Sequence, residues 1–241
     1  MRNSIFAFLL TLLFLDTQAQ TPTPEQLIRK YIQATGDTTV YDSVRNFTWN
    51  RSYRANAPTD FDEEVIISIQ DAAISRKKTL MQRDFFYVVN KSAGWLKIPT
   101  GSRDKIPTYS VKDLSVKERA AMQLEVLDGL WAFIDYKTKG YTAQVLGNIL
   151  VGATSTWHLA LTKEGIKRSY FFDTETNLLV REIEETTDET VTWDYKTFTK
   201  TTAGLLYPSA GTRTSSRDKR VVPVTTTLRI NTSIPASLFV R

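Results

Sequence analysis

The sequence predicts a mainly β fold of the α+β class, built on one large antiparallel sheet. The first observation behind this is the stretch Thr156–Glu184, which reads as three strands joined by two tight turns. Trp157, Leu159 and Leu161 alternate with His158, Ala160 and Thr162, the period of two that a half-buried strand requires. Lys163-Glu164-Gly165 makes one turn through a glycine free to take positive φ, and Asp173-Thr174-Glu175-Thr176-Asn177 makes the other through Asx-type bonding. A meander this regular belongs to the middle of a larger sheet, because an isolated hairpin is marginal in water. The second observation is the balance of elements, roughly ten or eleven strand-like segments against two convincing helices. The third is continuity: no repeat, linker or composition break divides residues 20–241, which are expected to form one domain.

The chain opens with Arg2, an apolar run from Ile5 to Leu15 and then Asp16-Thr17-Gln18-Ala19-Gln20. These are the basic, apolar and small-residue regions of a signal peptide cleaved after Ala19. The run is too short to span a bilayer as a helix, so a soluble mature chain beginning at Gln20 is expected. There is no cysteine, which excludes disulfides and a lipid-modified cysteine. The expected address is therefore a bacterial periplasm, and the mature protein is not itself a lipoprotein. The net charge of +5 is scattered, with one knot at Arg213, Arg217, Lys219 and Arg220. That is a solvated basic surface suited to anionic head groups, not the stripe or module of a nucleic-acid-binding protein.

Taken in order, Thr23 caps a helix from Pro24 to Gly36, with Leu27, Ile28, Tyr31 and Ile32 as its apolar stripe and Gly36 as its C′ residue. Phe47 to Ala55 is a strand with Phe47, Trp49 and Tyr53 on one face beside Arg51, broken at Ala57-Pro58-Thr59-Asp60. Glu64 to Gln70 follows with Val65, Ile67 and Ile69 inward, then strands at Ile74–Arg83, Phe85–Asn90 and Trp95–Ile98, the last stopped by Pro99. Thr100 to Val111 reads as a loop. Ser115 and Glu118 form a capping box that opens a helix over Val116–Asp128, with Ala120, Ala121, Leu124 and Leu127 as its apolar face and Gly129 as its stop. Leu130, Trp131, Phe133 and Ile134 make an apolar loop patch. Strands resume at Tyr141–Leu146, Ile149–Ala153, the meander, and Val191–Phe198. Leu205–Pro208 leads to an edge, and Val221–Ile230 is a last strand whose Pro223 implies an edge or a bulge.

Catalytic chemistry finds little support. His158 is the only histidine and no motif gives it partners; with no cysteine present, the usual zinc and copper sites are excluded. The acidic runs Asp60–Glu64 and Glu182–Glu185 sit at a strand entry and exit, where charge is ordinary. Neither a Gly-rich phosphate loop nor Gly-x-Ser-x-Gly occurs. No enzyme, metal or other cofactor is expected. What remains is the inward alternation of Trp49, Tyr53, Trp157, Tyr170, Phe172, Trp193 and Tyr195. Two helices cover only part of so large a sheet, and an uncovered apolar face forms a lumen or a groove.

PEQLIRKYIQATG, the Ser115 helix followed by DYKTKGYTAQVLG, then YFFDTETNLLVRE, and Tyr195 through GLLYP occur in this order. Together they resemble the outer-membrane lipoprotein-sorting (Lol-type) superfamily. The resemblance implies a strongly curved antiparallel sheet forming an unclosed half-barrel, with helices as a lid on the concave face. It implies a soluble periplasmic carrier that binds acyl chains of lipoproteins or other lipids in a groove between sheet and helices. The hydrophobic groove is expected to be lined by Trp49, Tyr53, Val65, Ile67, Trp157, Leu159 and Trp193, with the Ser115 helix and Leu130–Ile134 over one mouth. The alternative is a module of the same fold that binds other envelope proteins and carries no lipid. A monomer without nucleic-acid partners is expected either way.

Overall fold

In a computed structural model that describes residues 21–56, 60–101 and 106–241, the chain forms two antiparallel meanders that meet at their ends. The signal peptide read over 1–19, and the Ala57-Pro58-Thr59 break, lie outside the described residues. The elements are α1 (Pro24–Thr35), α2 (Thr38–Ser43), β1 (Asn46–Tyr53), β2 (Phe61–Ser68), β3 (Ala73–Leu80), β4 (Arg83–Val89), β5 (Gly94–Thr100) and β6 (Thr108–Asp113). After these come α3 (Val116–Asp128), β7 (Thr142–Val151), β8 (Thr154–Lys163), β9 (Ile166–Asp173), β10 (Leu179–Glu185), β11 (Thr190–Lys200), β12 (Leu206–Ser215) and β13 (Val221–Ile230). A 3-10 turn, Ala236–Phe239, closes the chain.

The strand order is β6-β5-β4-β3-β2-β1-β13-β12-β11-β10-β9-β8-β7, a 13-stranded sheet among the described residues. Every neighbour is antiparallel, so each connection within a meander is a hairpin. β6 and β7 are the two edges and do not pair, leaving an unclosed half-barrel. They are consecutive along the chain, so the segment between them, α3 and residues 129–141, has to travel from one edge of the sheet to the other. It does so across the concave face, and this route builds the site.

Alternation decides what that face carries. The register Trp49↔Val65, Val65↔Arg76 and Arg76↔Tyr87 puts these side chains on one surface, and Leu159↔Tyr170 continues it in the second meander. Two buried clusters form there. One joins Leu27, Ile28 and Tyr31 of α1 to Trp131, Phe133, Leu159, Leu161, Tyr170, Phe172 and Leu179. The other joins Met122 and Val126 of α3 to Phe47, Trp49, Val65, Ile67, Ile74, Val89 and Leu228. Both long helices begin with capping boxes, Thr23 with Gln26 and Ser115 with Glu118, as their sequences require.

Several elements differ from the sequence reading. The Thr100–Val111 stretch is not all loop: β6 begins at Thr108 and pairs with β5 through Pro99↔Tyr109. The pairing of β5 with β4 ends at Lys97, so the missing N–H of Pro99 interrupts no ladder on that side. Tyr141–Leu146 and Ile149–Ala153 are one strand, β7, with a bulge at Gly147, whose φ is 119°. β12 and β13 are interior rather than edge strands. Pro223 is neither at an edge nor in a bulge; it lies just past the last β1 pair, Tyr53↔Val224, near the start of β13. Ile69 falls beyond β2 and is 42% exposed. Gly36 is extended (φ 167°), not left-handed, whereas Gly129 does take positive φ (62°) after α3. The six-residue α2, capped by Asp37, was not anticipated.

α3 also presents a different face. Ala120, Ala121 and Leu127 are exposed and Leu124 half-buried, while Met122, Val126 and Asp128 are buried. The helix packs on β3 and β4 through Met122 and Val126, one turn apart, and this rotates its other flank toward the concavity.

Candidate functional site: the cavity under the third helix

Gly129 ends α3 and sends the chain into the concave face. Trp131, Ala132 and Phe133 are 9%, 2% and 0% exposed, so the apolar patch is an inserted plug, deeper than a cover over a mouth. Phe133 meets Tyr31, Tyr170 and Phe172 edge-on with ring centroids 5.1, 4.8 and 5.3 Å apart. The plug is fixed at its ends. Lys139 donates to the backbone carbonyls of Asp128 and Trp131 at 2.8 and 3.0 Å, placing its charge at the C-terminus of α3. Tyr136 donates to Glu25 of α1 at 2.8 Å, and Lys137 pairs with the same carboxylate.

The plug fills the half of the concave face beneath α1 and leaves a cavity beneath α3, of about 340 Å³. This is near the low end of the roughly 300–1,000 Å³ usual for small-ligand sites. Its apolar wall is Phe47, Trp49, Val65 and Ile67 from the sheet, with Ala121 and Leu124 from α3 and Trp131 from the plug. Its other wall is charged and aromatic: Arg51, Glu125, Asp128, Arg168, Glu182, Glu184, Trp193 and Tyr195. A larger open depression of about 620 Å³ lies by the β8–β9 turn, but no aromatic side chain lines it.

The charges are held in clusters. Arg51 lies between two indoles, its guanidinium carbon 5.2 Å from the Trp49 ring and 5.1 Å from that of Trp193. Glu63 is buried beside Arg76 (3.2 Å), Lys78 (3.8 Å) and Arg51 (4.0 Å), and Tyr53 donates to it at 3.3 Å. Burial alone would raise its carboxyl, but Arg76, Lys78 and Arg51 outweigh burial and hold it below the usual range. Arg168 pairs with Asp128 (2.8 Å), Glu184 (2.9 Å) and, more distantly, Glu182 (4.0 Å). There burial wins: the carboxyls of Asp128 and Glu184 are pushed up despite Arg168. Tyr141 donates to Asp128 at 3.0 Å, and Tyr195 to Glu182 at 2.9 Å.

Of the residues expected to line the groove, Trp49, Val65, Ile67 and Trp193 meet in this cavity. Tyr53 does not; it stacks on Phe61, centroids 4.2 Å apart, in a separate small cluster with Val222 and Val224. Leu159, fully buried, and Trp157, half-buried, belong to the filled core under α1 and the plug. The charged wall was not anticipated. Its sequence signals are Arg51, on the inward face between Trp49 and Tyr53, and the acidic run Glu182–Glu185.

The acidic runs divide between outside and inside. Asp62 pairs with exposed Arg54, whereas Glu63, Glu182 and Glu184 enter the concave clusters. His158 stacks on Phe171 with centroids 4.4 Å apart and shares a 2.9 Å hydrogen bond with Ser169; burial lowers its pKa. Among the described residues, no group of three or more His, Asp or Glu side chains is placed to hold a metal ion.

No family model matches the chain, and no curated protein sequence matches it. Solved structures do. A LolA superfamily protein from Nitrosomonas europaea superposes with a TM-score of 0.55 at 14% identity, covering 91% of this chain and 98% of that one. A DUF1329 family protein from Desulfovibrio piger gives 0.47 at 10% identity, over 89% and 96% of the two chains. A domain named for outer-membrane lipoprotein sorting, from Vibrio parahaemolyticus, gives 0.44 at 10% identity over 90% and 96%. The fold is Lol-type, and at such identities the likeness is one of fold.

Proposed function

We propose that this chain is a soluble carrier of the bacterial periplasm that shelters an acyl chain under α3. The observation that carries the reading is the unfilled space between the apolar wall Trp49–Val65–Ile67 and the Ala121–Leu124 flank of α3. A core closed for stability alone places side chains in such a space, because interiors pack to near-crystalline density. Sheltering about ten methylenes yields about 8 kcal/mol before ordering costs, enough for useful affinity. No catalytic step is assigned: the carboxylates facing the cavity are engaged by Arg76, Arg168 and Tyr195.

A second reading, an envelope protein-binding module, is favoured by the other half of the concave face, where the plug leaves no room. One experiment separates the two. The protein is exported in a Gram-negative host, purified without detergent and examined by native mass spectrometry, with displacement of a fluorescent fatty acid in parallel. The carrier reading expects a chain starting at Gln20 with bound lipid, and displacement by added amphiphile. A lipid-free protein that displaces nothing supports the module instead.

A further inference from the structure

The cavity under α3 has a neighbour. Three consecutive residues, Gly129, Leu130 and Trp131, line both that cavity and a second space of about 320 Å³, and so divide the two. The outer space is walled by Tyr41, Val44, Ile69, Val126, Leu127 and Ile134, with Asp42, Asp135 and Lys139 as its charged members. Ile69 and Leu127 are 42% and 46% exposed, large aliphatic side chains left open to solvent in this groove.

The partition is rigid everywhere except at one side chain. Trp131 is held by ring contacts to Tyr31, Trp49, Phe133 and Tyr195. Lys139 ties down the backbone on either side, through the carbonyls of Asp128 and Trp131. Gly129 has no side chain, and a Cβ built there would meet nothing within 4 Å. Leu130 remains. It is half-buried and packs against both cores, and one rotamer change in it needs no movement of the backbone.

We propose that the outer groove takes the distal part of a long acyl chain whose nearer part fills the α3 cavity, with Leu130 as the gate between them. The inference rests on the carrier reading and adds a second subsite and a chain-length determinant to it. The two spaces share a wall, both are largely aliphatic where they meet it, and only a long thin apolar group can occupy both across one leucine. Such a chain also covers Ile69 and Leu127, removing their apolar surface from water.

The test is displacement of a fluorescent fatty acid from the exported protein by saturated fatty acids from decanoate to stearate. If the added methylenes are buried in the outer groove, stearate should bind more than about a hundredfold tighter than decanoate. Leu130→Trp closes the partition, and the stearate-to-decanoate ratio should fall toward one. Leu130→Ala should keep the full ratio. Leu127→Glu sets a charge in the outer groove at an exposed position and should lower the ratio by about tenfold or more. It carries the test if Leu130→Trp does not fold. A wild-type ratio near one overturns the inference and leaves the carrier reading standing, since the α3 cavity then holds all of the chain that is sheltered. A ratio unchanged in Leu130→Trp and Leu127→Glu overturns it equally and puts the distal chain elsewhere. Failure of the whole series to displace the probe overturns the carrier reading itself.

Discussion

Trp131 meets Trp49 edge to face, ring centroids 6.2 Å apart and planes at 67°. Trp131 belongs to the core under α1 and Trp49 to the core under α3, so this contact joins the two halves of the concave face. The crossing segment is thus an internal strut as well as one boundary of the cavity.

The strut can be weighed against a neighbouring tryptophan that only borders the core. Trp131→Ala should lower unfolding free energy by about 3–5 kcal/mol, the range for emptying a large aromatic site. Trp157→Ala should cost clearly less, because Trp157 is half-buried at the margin of its cluster. Denaturant unfolding of both variants checks this; equal losses would place Trp157 in the core proper.

Gly211 in β12 is fixed by an approach of backbone to backbone. A Cβ there would lie 2.1 Å from the carbonyl oxygen of Asp194, next to the register shift between Tyr195 and Thr197. Two strand backbones cannot part without breaking ladder bonds, so Gly211→Ala should destabilise by about 3 kcal/mol or more, at the upper end of overpacking costs. Gly152→Ala is a suitable comparison, as its Cβ would meet nothing within 4 Å and its strain comes only from a φ of 60°. Thermal unfolding should rank Gly211→Ala as the worse of the two.

Lys139 gives a pH signature. Burial lowers its pKa to about 8, against the attraction of Asp128 and Asp135, with Arg168 pushing the same way as burial. Between about 8 and the ordinary lysine value near 10.4 the unfolded chain keeps a proton that the folded chain releases. The unfolded state then binds more protons, so stability from this group rises with pH across that window and is lowest below it. Relative to Lys139→Met, the wild type should gain on the order of 2 kcal/mol between pH 7 and pH 10. Urea midpoints at both pH values read this out. An identical slope in the variant would mean that Lys139 holds its proton as an exposed lysine does.

α3 buries only Met122 and Val126 among its apolar residues, and ion pairs supply much of its anchorage: Lys117 to Asp188, Arg76 to Glu125 and Arg168 to Asp128. The first of these is solvent-exposed and weak. Amides of Ala121–Leu127 should therefore exchange faster than those of the plug, and an added amphiphile should slow them while leaving the plug unchanged. Hydrogen exchange with and without lysophosphatidylethanolamine measures both. Protection that changes in the plug and not in α3 would mean entry from the α1 side.

What the sequence determined is local and periodic. Thr23 and Ser115 wrote the starts of both long helices, and the alternation from Trp157 to Leu161 wrote the inward face of β8. Turn chemistry at Gly165 and Asn177 set the meander, since both take positive φ (74° and 58°). β6 was illegible because all six of its residues are exposed, so no burial pattern marks it as a strand. The working face of α3 was misread because its sequence offers two apolar flanks, and only β3 and β4 select Met122 and Val126. The tertiary structure alone decided the cavity. Trp49 and Arg51 stand far in sequence from Glu182 and Trp193, and a period of two says which way each points but not what it points at. Strand register and the route of the chain from one edge of the sheet to the other bring them together, and neither is a local property.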